Sequence, residues 1–248
     1  MELTFAAIAL LPGLAFGSFL NVVAARIPLR RSLVSPGSAC MACGTPLAWF
    51  DNVQLLSFAL LRGRCRHCQT AIPWRYPLVE ATTALLVAAC VLRFGLTWDA
   101  AVGAFFCTAL VAISATDAER HVIPNRIVLP ATVIVLAANT MLHPSVEWAA
   151  AGLGAALFLF IAALAYPAGM GMGDVKLALL LGVAVGRTVP VAMMVGMISA
   201  LVPSVVLVAR HGSAARKMKI PFGPFLAFGG VVALFAGPAL LGMYMSLL

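Results

Sequence analysis

Two aspartates stand in otherwise apolar sequence, Asp117 in "TDAERHVIPN" (116–125) and Asp174 in "GMGDVK" (171–176). A carboxylate at membrane depth is costly and marks function. Two carboxylates held close cannot both ionise comfortably, so they share a proton. One then acts as base on a water molecule. The other, protonated, polarises a scissile carbonyl and later helps protonate the leaving amine. The same acidic pair also suits a proton-coupled transporter, where it relays protons or ions, and the residues alone leave both chemistries open. Each aspartate also has a structural alternative, Asp117 answering Arg120 at an interface and Asp174 capping the positive end of a helix. Gly169, Gly171 and Gly173 remove side chains just ahead of Asp174, so another backbone can approach. Lys176, two residues beyond, either tunes the pair or snorkels to the interface.

A second constellation is Cys40, Cys43, Cys65 and Cys68, a C-x2-C pair, 21 residues, and another C-x2-C pair. Each short knuckle presents two thiolates to one ion, and two knuckles complete a tetrahedron, which points to zinc. Gly44 eases the tight turn, and Arg62, Arg64 and Arg66 offset the charge of four thiolates. Such a site has no open position for catalysis, so it reads as a staple for a loop too small to hold itself together. Two disulfides are the alternative, set against a cytoplasmic location. Cys90 and Cys107 fall in apolar runs and read as small packed residues.

These groups need elements to carry them. The chain has 248 residues, 63% hydrophobic and 10% charged, where soluble domains carry about 25% charged residues. The fold class expected is an all-α polytopic membrane protein of about eight transmembrane helices with a small cytoplasmic zinc-binding loop domain. Apolar runs fall near 4–25, 77–95, 99–116, 124–142, 148–168, 174–187, 188–209 and 222–246, with only "VGRTVP" parting the sixth from the seventh. Glu2 stands where a cleavable signal needs basic residues, so the first run is a spanning helix. With the loop after it placed in the cytoplasm, 14 of the 16 Lys and Arg fall on that side and only Arg93 and Arg187 on the other, a strong positive-inside bias. Both aspartates then lie at the cytoplasmic ends of their helices. The net charge of +8 therefore reports topology and not nucleic-acid binding. No internal repeat or low-complexity tract stands out. The expected parts are a first transmembrane helix (1–26), a four-cysteine domain (27–74) and a seven-helix membrane domain (75–248).

"GSFLNVVAARIP" (17–28), the doubled C-x2-C, "DNVQLLSFALLRGRCRHC" (51–68), "RYPLVE" (75–80), "TDAERHVIPN", "GMGDVK" and "IPFGPFLAFGG" (220–230) follow one another in an order that resembles the bacterial type IV prepilin peptidases, bifunctional leader peptidases and N-methyltransferases. The resemblance implies an inner-membrane aspartic protease of the GxGD type, with Asp117 and Asp174 as its catalytic pair. It implies a multi-pass protein whose active site faces the cytoplasm, where prepilins or pseudopilins lose a basic leader. It further implies methylation of the new N-terminus from S-adenosylmethionine, a donor for which no glycine-rich fingerprint is visible. Glu80, Asp51 and Asn52 are polar candidates for that step, although Glu80 could equally neutralise Arg75. Two positions depart from the family pattern: Asn125 stands where aspartate is common, and Gln54 where proline is common. "GPALLG" (237–242) contains the Pro-Ala-Leu triplet of presenilin-like proteases, which reads as chance in a chain this rich in Ala and Leu.

Overall fold

The computed structural model describes residues 2–48, 54–166, 170–212 and 220–246. Gly169, Asp51, Asn52, Arg216, Lys217 and Lys219 lie outside the described residues. The described chain is helical: α1 (Glu2–Arg26), α2 (Gln54–Leu60), α3 (Arg75–Phe94), α4 (Trp98–Arg120), α5 (Asn125–Leu142), α6 (Glu147–Ala165), α7 (Met172–Val185), α8 (Val189–His211) and α9 (Gly223–Met245). Its contacts divide it into two units, Met1–Ala100 and Ala101–Leu248.

In the first unit α1 and α3 form the principal packing pair. Two glycines one turn apart on α1 make this possible. A Cβ on Gly13 would lie 2.6 Å from the Ala84 Cα, and one on Gly17 would lie 2.6 Å from the Glu80 Cα. Small residues let backbones meet where lipid supplies no hydrophobic drive between helices. Polar groups gather at the same end. Asn21 Nδ2 donates to the Tyr76 carbonyl at 3.2 Å. The buried Glu80 hydrogen-bonds Ser18, while the Arg75 guanidinium lies 4.6 Å from the centre of the Tyr76 ring.

In the second unit α4 is the most buried of the candidate spans, with Phe106, Leu110 and Ile113 almost fully enclosed. Among the described residues seven helical runs are long and apolar enough to cross a membrane, and Met172–Arg210 counts as one run of 39 residues. That run is two helices, as "VGRTVP" implied. Gly186 has φ +55°, a 3₁₀ turn covers Gly186–Thr188, and Pro190 occupies the first turn of α8, which suits its missing N–H. Side chains fasten the break. Asn139 of α5 donates to the Val183 carbonyl at 2.9 Å, and Glu147 of α6 accepts from both the backbone N–H (2.9 Å) and Nε (2.8 Å) of Arg187. Close backbone approach recurs at Gly182 against Gly152 of α6, and at Gly229 of α9 against Ala192 of α8. With its 14 residues, α7 is about 21 Å long, short against a hydrocarbon core of ~30 Å.

Candidate active site and metal centre

Asp117 lies in the last turn of α4, and Asp174 in the first turn of α7. Asp117 is 6% exposed. Its Oδ2 accepts the backbone N–H of Gly223, the first residue of α9, at 2.9 Å. Asp174 is half-buried, and its Oδ2 accepts the N–H of Gly171 at 3.1 Å. The Asp174 N–H returns a bond to the Gly171 carbonyl at 3.1 Å. The helix-capping alternative for Asp174 is thus realised, with Asp117 within electrostatic reach. One carboxylate oxygen of each residue is held by a backbone N–H. His121, just past the end of α4 with φ +53°, also lies within electrostatic reach of Asp117.

The two glycines ahead of Asp174 differ. A Cβ on Gly173 would lie 2.9 Å from Ile123 Cβ, so the buried Ile123 needs that position empty. Among the described residues a Cβ on Gly171 would meet only Asp174 Oδ2 at 3.6 Å and Gly173 N at 3.8 Å, which is ordinary contact. Lys176 Nζ donates to Asn125 Oδ1 at 2.8 Å, so its charge is engaged with the first residue of α5. Gly223 and Ile123 are the neighbours that sequence reasoning did not single out. "FGP" (222–224) was the available signal for the first, a glycine before a helix-starting proline.

The four loop cysteines come together. Their sulfurs all lie within 4.8 Å of one another, and all four are free thiols, which sets the disulfide alternative aside. A tetrahedron of zinc–sulfur bonds of ~2.3 Å has edges of about 3.8 Å, and Cys40 Sγ and Cys68 Sγ stand 3.7 Å apart. The group can hold a metal such as zinc. The two knuckles of the doubled C-x2-C, "CMACGTP" (40–46) and "CRHCQTA" (65–71), share one geometry. The Cys40 N–H donates to the Thr45 carbonyl and the Cys65 N–H to the Thr70 carbonyl, each at 2.9 Å. Bridges join Ala39 to Pro46 and Arg64 to Ala71. Gly44 (φ +70°) and Gln69 (φ +58°) fill the same left-handed position. The second thiol of each pair lies 3.3 Å from a threonine hydroxyl, Thr45 or Thr70. Hydrogen bonding to Thr70 brings the Cys68 thiol down from 9.0 to about 6, because the bond favours the thiolate.

Residues 104–209, which hold both aspartates, match the type IV leader peptidase family, and residues 11–94, which hold the cysteines, match the bacterial peptidase A24 N-terminal domain. The chain belongs to the type IV leader peptidase family. Proteins named prepilin leader peptidase/N-methyltransferase are similar along nearly the whole length. The one from Bacillus subtilis is 34% identical over 95% of this chain and 96% of its own. That from Burkholderia pseudomallei is 36% identical over 96% and 86%, and that from Pseudomonas aeruginosa 34% identical over 98% and 94%. No solved structure matches the chain. Membership in the leader peptidase family gives the transporter alternative no support.

The presenilin-like triplet sits elsewhere. Pro238, with Glu147, Arg187 and Thr188, lines an open groove of about 410 Å³. This groove lies at the Val185 end of α7, some 16 Å along that helix from Asp174.

Proposed function

We propose that this chain is a bifunctional prepilin leader peptidase and N-methyltransferase, with Asp117 and Asp174 as its aspartic dyad. The observation that carries the reading is the placement of two carboxylates within electrostatic reach of one another, in the last turn of α4 and the first turn of α7, within the segment that matches the leader peptidases. A backbone N–H holds one oxygen of each, which leaves the other for chemistry. In the proposed reaction one aspartate, ionised, takes a proton from water as the water attacks the scissile carbonyl. The other donates a proton to the carbonyl oxygen, and the tetrahedral intermediate collapses as the leaving amine is protonated. The pair works as one titrating unit.

Several features fit a substrate that is cut at the membrane edge. A helix as short as α7 fits an Asp174 set below the membrane edge, and irregular backbone there is tolerated where it lines a watery cavity. The face at Gly171 is the approach for an extended prepilin or pseudopilin segment. The positive-inside bias puts this end, and the four-cysteine loop, on the cytoplasmic side of a bacterial inner membrane.

The functional parts are then a first transmembrane helix (1–26), a four-cysteine domain (27–74) and a membrane domain carrying the dyad (75–248). Cys40, Cys43, Cys65 and Cys68 hold a structural zinc ion, which stabilises the loop and takes no part in the cut. S-adenosylmethionine supplies the methyl group for the second reaction. Incubating the purified protein with a prepilin and S-adenosylmethionine tests both activities by mass spectrometry. The expected product lacks its leader and gains one methyl group. An intact prepilin, with the protein folded and zinc-loaded, would remove the proposal.

A further inference from the structure

The first turn of α9 accounts for its own backbone donors in an unusual way. The N–H groups of Phe225 and Leu226 both bond to the Phe222 carbonyl, at 3.1 and 3.2 Å. Pro224 has none. The remaining donor, Gly223 N–H, is spent on the Asp117 carboxylate at 2.9 Å, a buried bond across 106 residues of sequence. An N–H at a helix start carries the positive end of the helix dipole, so this bond acts on a carboxylate with more than a neutral donor's strength.

The glycine is required by space. Gly223 is not among the residues with positive φ, so its backbone conformation suits any amino acid. A Cβ there would fall 2.8 Å from Asp117 Oδ2 and 3.2 Å from both Asp117 Cβ and Cγ. Such a contact forces something to move. Asp117 is packed and has little room to swing.

We propose that Gly223 is a positioning residue for the dyad: its N–H fixes Asp117 Oδ2, and its missing side chain lets the start of α9 reach that oxygen. This rests on the reading of Asp117 and Asp174 as the cleaving pair. Gly223 acts through Asp117. The sequence order α4, α7, α9 thus supplies three helix ends to one centre, two bearing acids and one bearing the donor that aims an acid.

The test uses the full chain in detergent or bicelles. Gly223→Ala is expected to lower kcat for prepilin cleavage about 10- to 100-fold, the range for losing a hydrogen bond to a charged group, with KM within about twofold. Gly242→Ala on the same helix, where a Cβ meets nothing within 4 Å, is the control and keeps full kcat. A role in helix packing alone would lower thermal stability and spare kcat. A spectroscopic readout stands apart from both. In protein labelled with ¹⁵N-glycine the Gly223 amide proton resonates downfield, and Asp117→Asn moves it upfield as the acceptor loses its charge. Wild-type kcat in Gly223→Ala, beside an inactive Asp117→Asn, overturns the proposal. So does a Gly223 amide signal unmoved by Asp117→Asn, which decides the matter even if Gly223→Ala fails to fold. Continued cleavage by Asp117→Asn is a different outcome, and it would sink the dyad reading beneath.

Discussion

The ammonium of Lys176 donates to the side-chain oxygen of Asn125 across 2.8 Å, tying the first turn of α7 to the first residue of α5. Only Val175 separates Lys176 from Asp174, yet its hydrogen bond goes to the neighbouring helix. The cation therefore serves the packing of two helix ends more than the dyad. Lys176→Met is expected to cost about 1 kcal/mol of stability, as for a single half-exposed hydrogen bond, and to lower kcat/KM by less than tenfold. A loss of several hundredfold with unchanged stability would show instead that the ammonium acts on the carboxylates.

Gly171 and Gly173 are expected to separate under substitution. Gly173→Ala drives a Cβ into Ile123 and overpacks the site, at a cost of about 1–3 kcal/mol. In an Ile123→Gly background the cost of Gly173→Ala should shrink, since the offending atom is the Ile123 Cβ itself. Gly171→Ala has room and should melt like wild type, while cleavage falls because its methyl group occupies the substrate's approach. Thermal melts and cleavage rates on these variants check this. Equal destabilisation by both alanines would refute the division of roles.

The doubled knuckle offers a stability test. Gln69 holds a left-handed conformation that Gly44 holds in the twin turn, and a side chain there costs roughly 1–2 kcal/mol. Gln69→Gly is expected to stabilise the loop by about that much, less the weak bond from Gln69 Nε2 to the Arg66 carbonyl at 3.5 Å. Gly44→Gln should do the reverse. Resistance of the bound metal to a competing chelator measures both.

Metal release should follow the threonines. With Cys68 brought down to about 6 by Thr70, its thiolate forms above that pH and is lost as the pH falls through it. In the metal-loaded protein the metal is expected to be released as the pH falls, because protons compete for the thiolates. Thr70→Ala, which takes away the bond that favours the Cys68 thiolate, should move the midpoint of release upward. A midpoint unmoved by Thr70→Ala would contradict the part given to that hydroxyl.

Much of this architecture was legible in residue order. Apolar runs located the helices because lipid forces every backbone bond to close within a helix. The break between α7 and α8 was visible in Gly186 and Pro190, which act locally. Cys40, Cys43, Cys65 and Cys68 announced their meeting through spacing alone. The partners of the aspartates were not legible in this way. Gly223 reaches Asp117 across 106 residues, and Ile123 needs Gly173 empty for reasons that only packing reveals. The doubled C-x2-C was legible, but the left-handed turn shared by Gly44 and Gln69 was not, because a glutamine does not announce that conformation. Asn125 appeared only as a departure from a family pattern, and its bond to Lys176 gives it a place.

The central claim is that Asp117 and Asp174 together cut the leader. The most direct measurement is cleavage of a prepilin by wild type, Asp117→Asn and Asp174→Asn, purified in parallel with equal metal content. The account requires wild type to shorten the substrate and each variant to leave it whole while remaining folded. Leader removal at wild-type rate by either variant would contradict it.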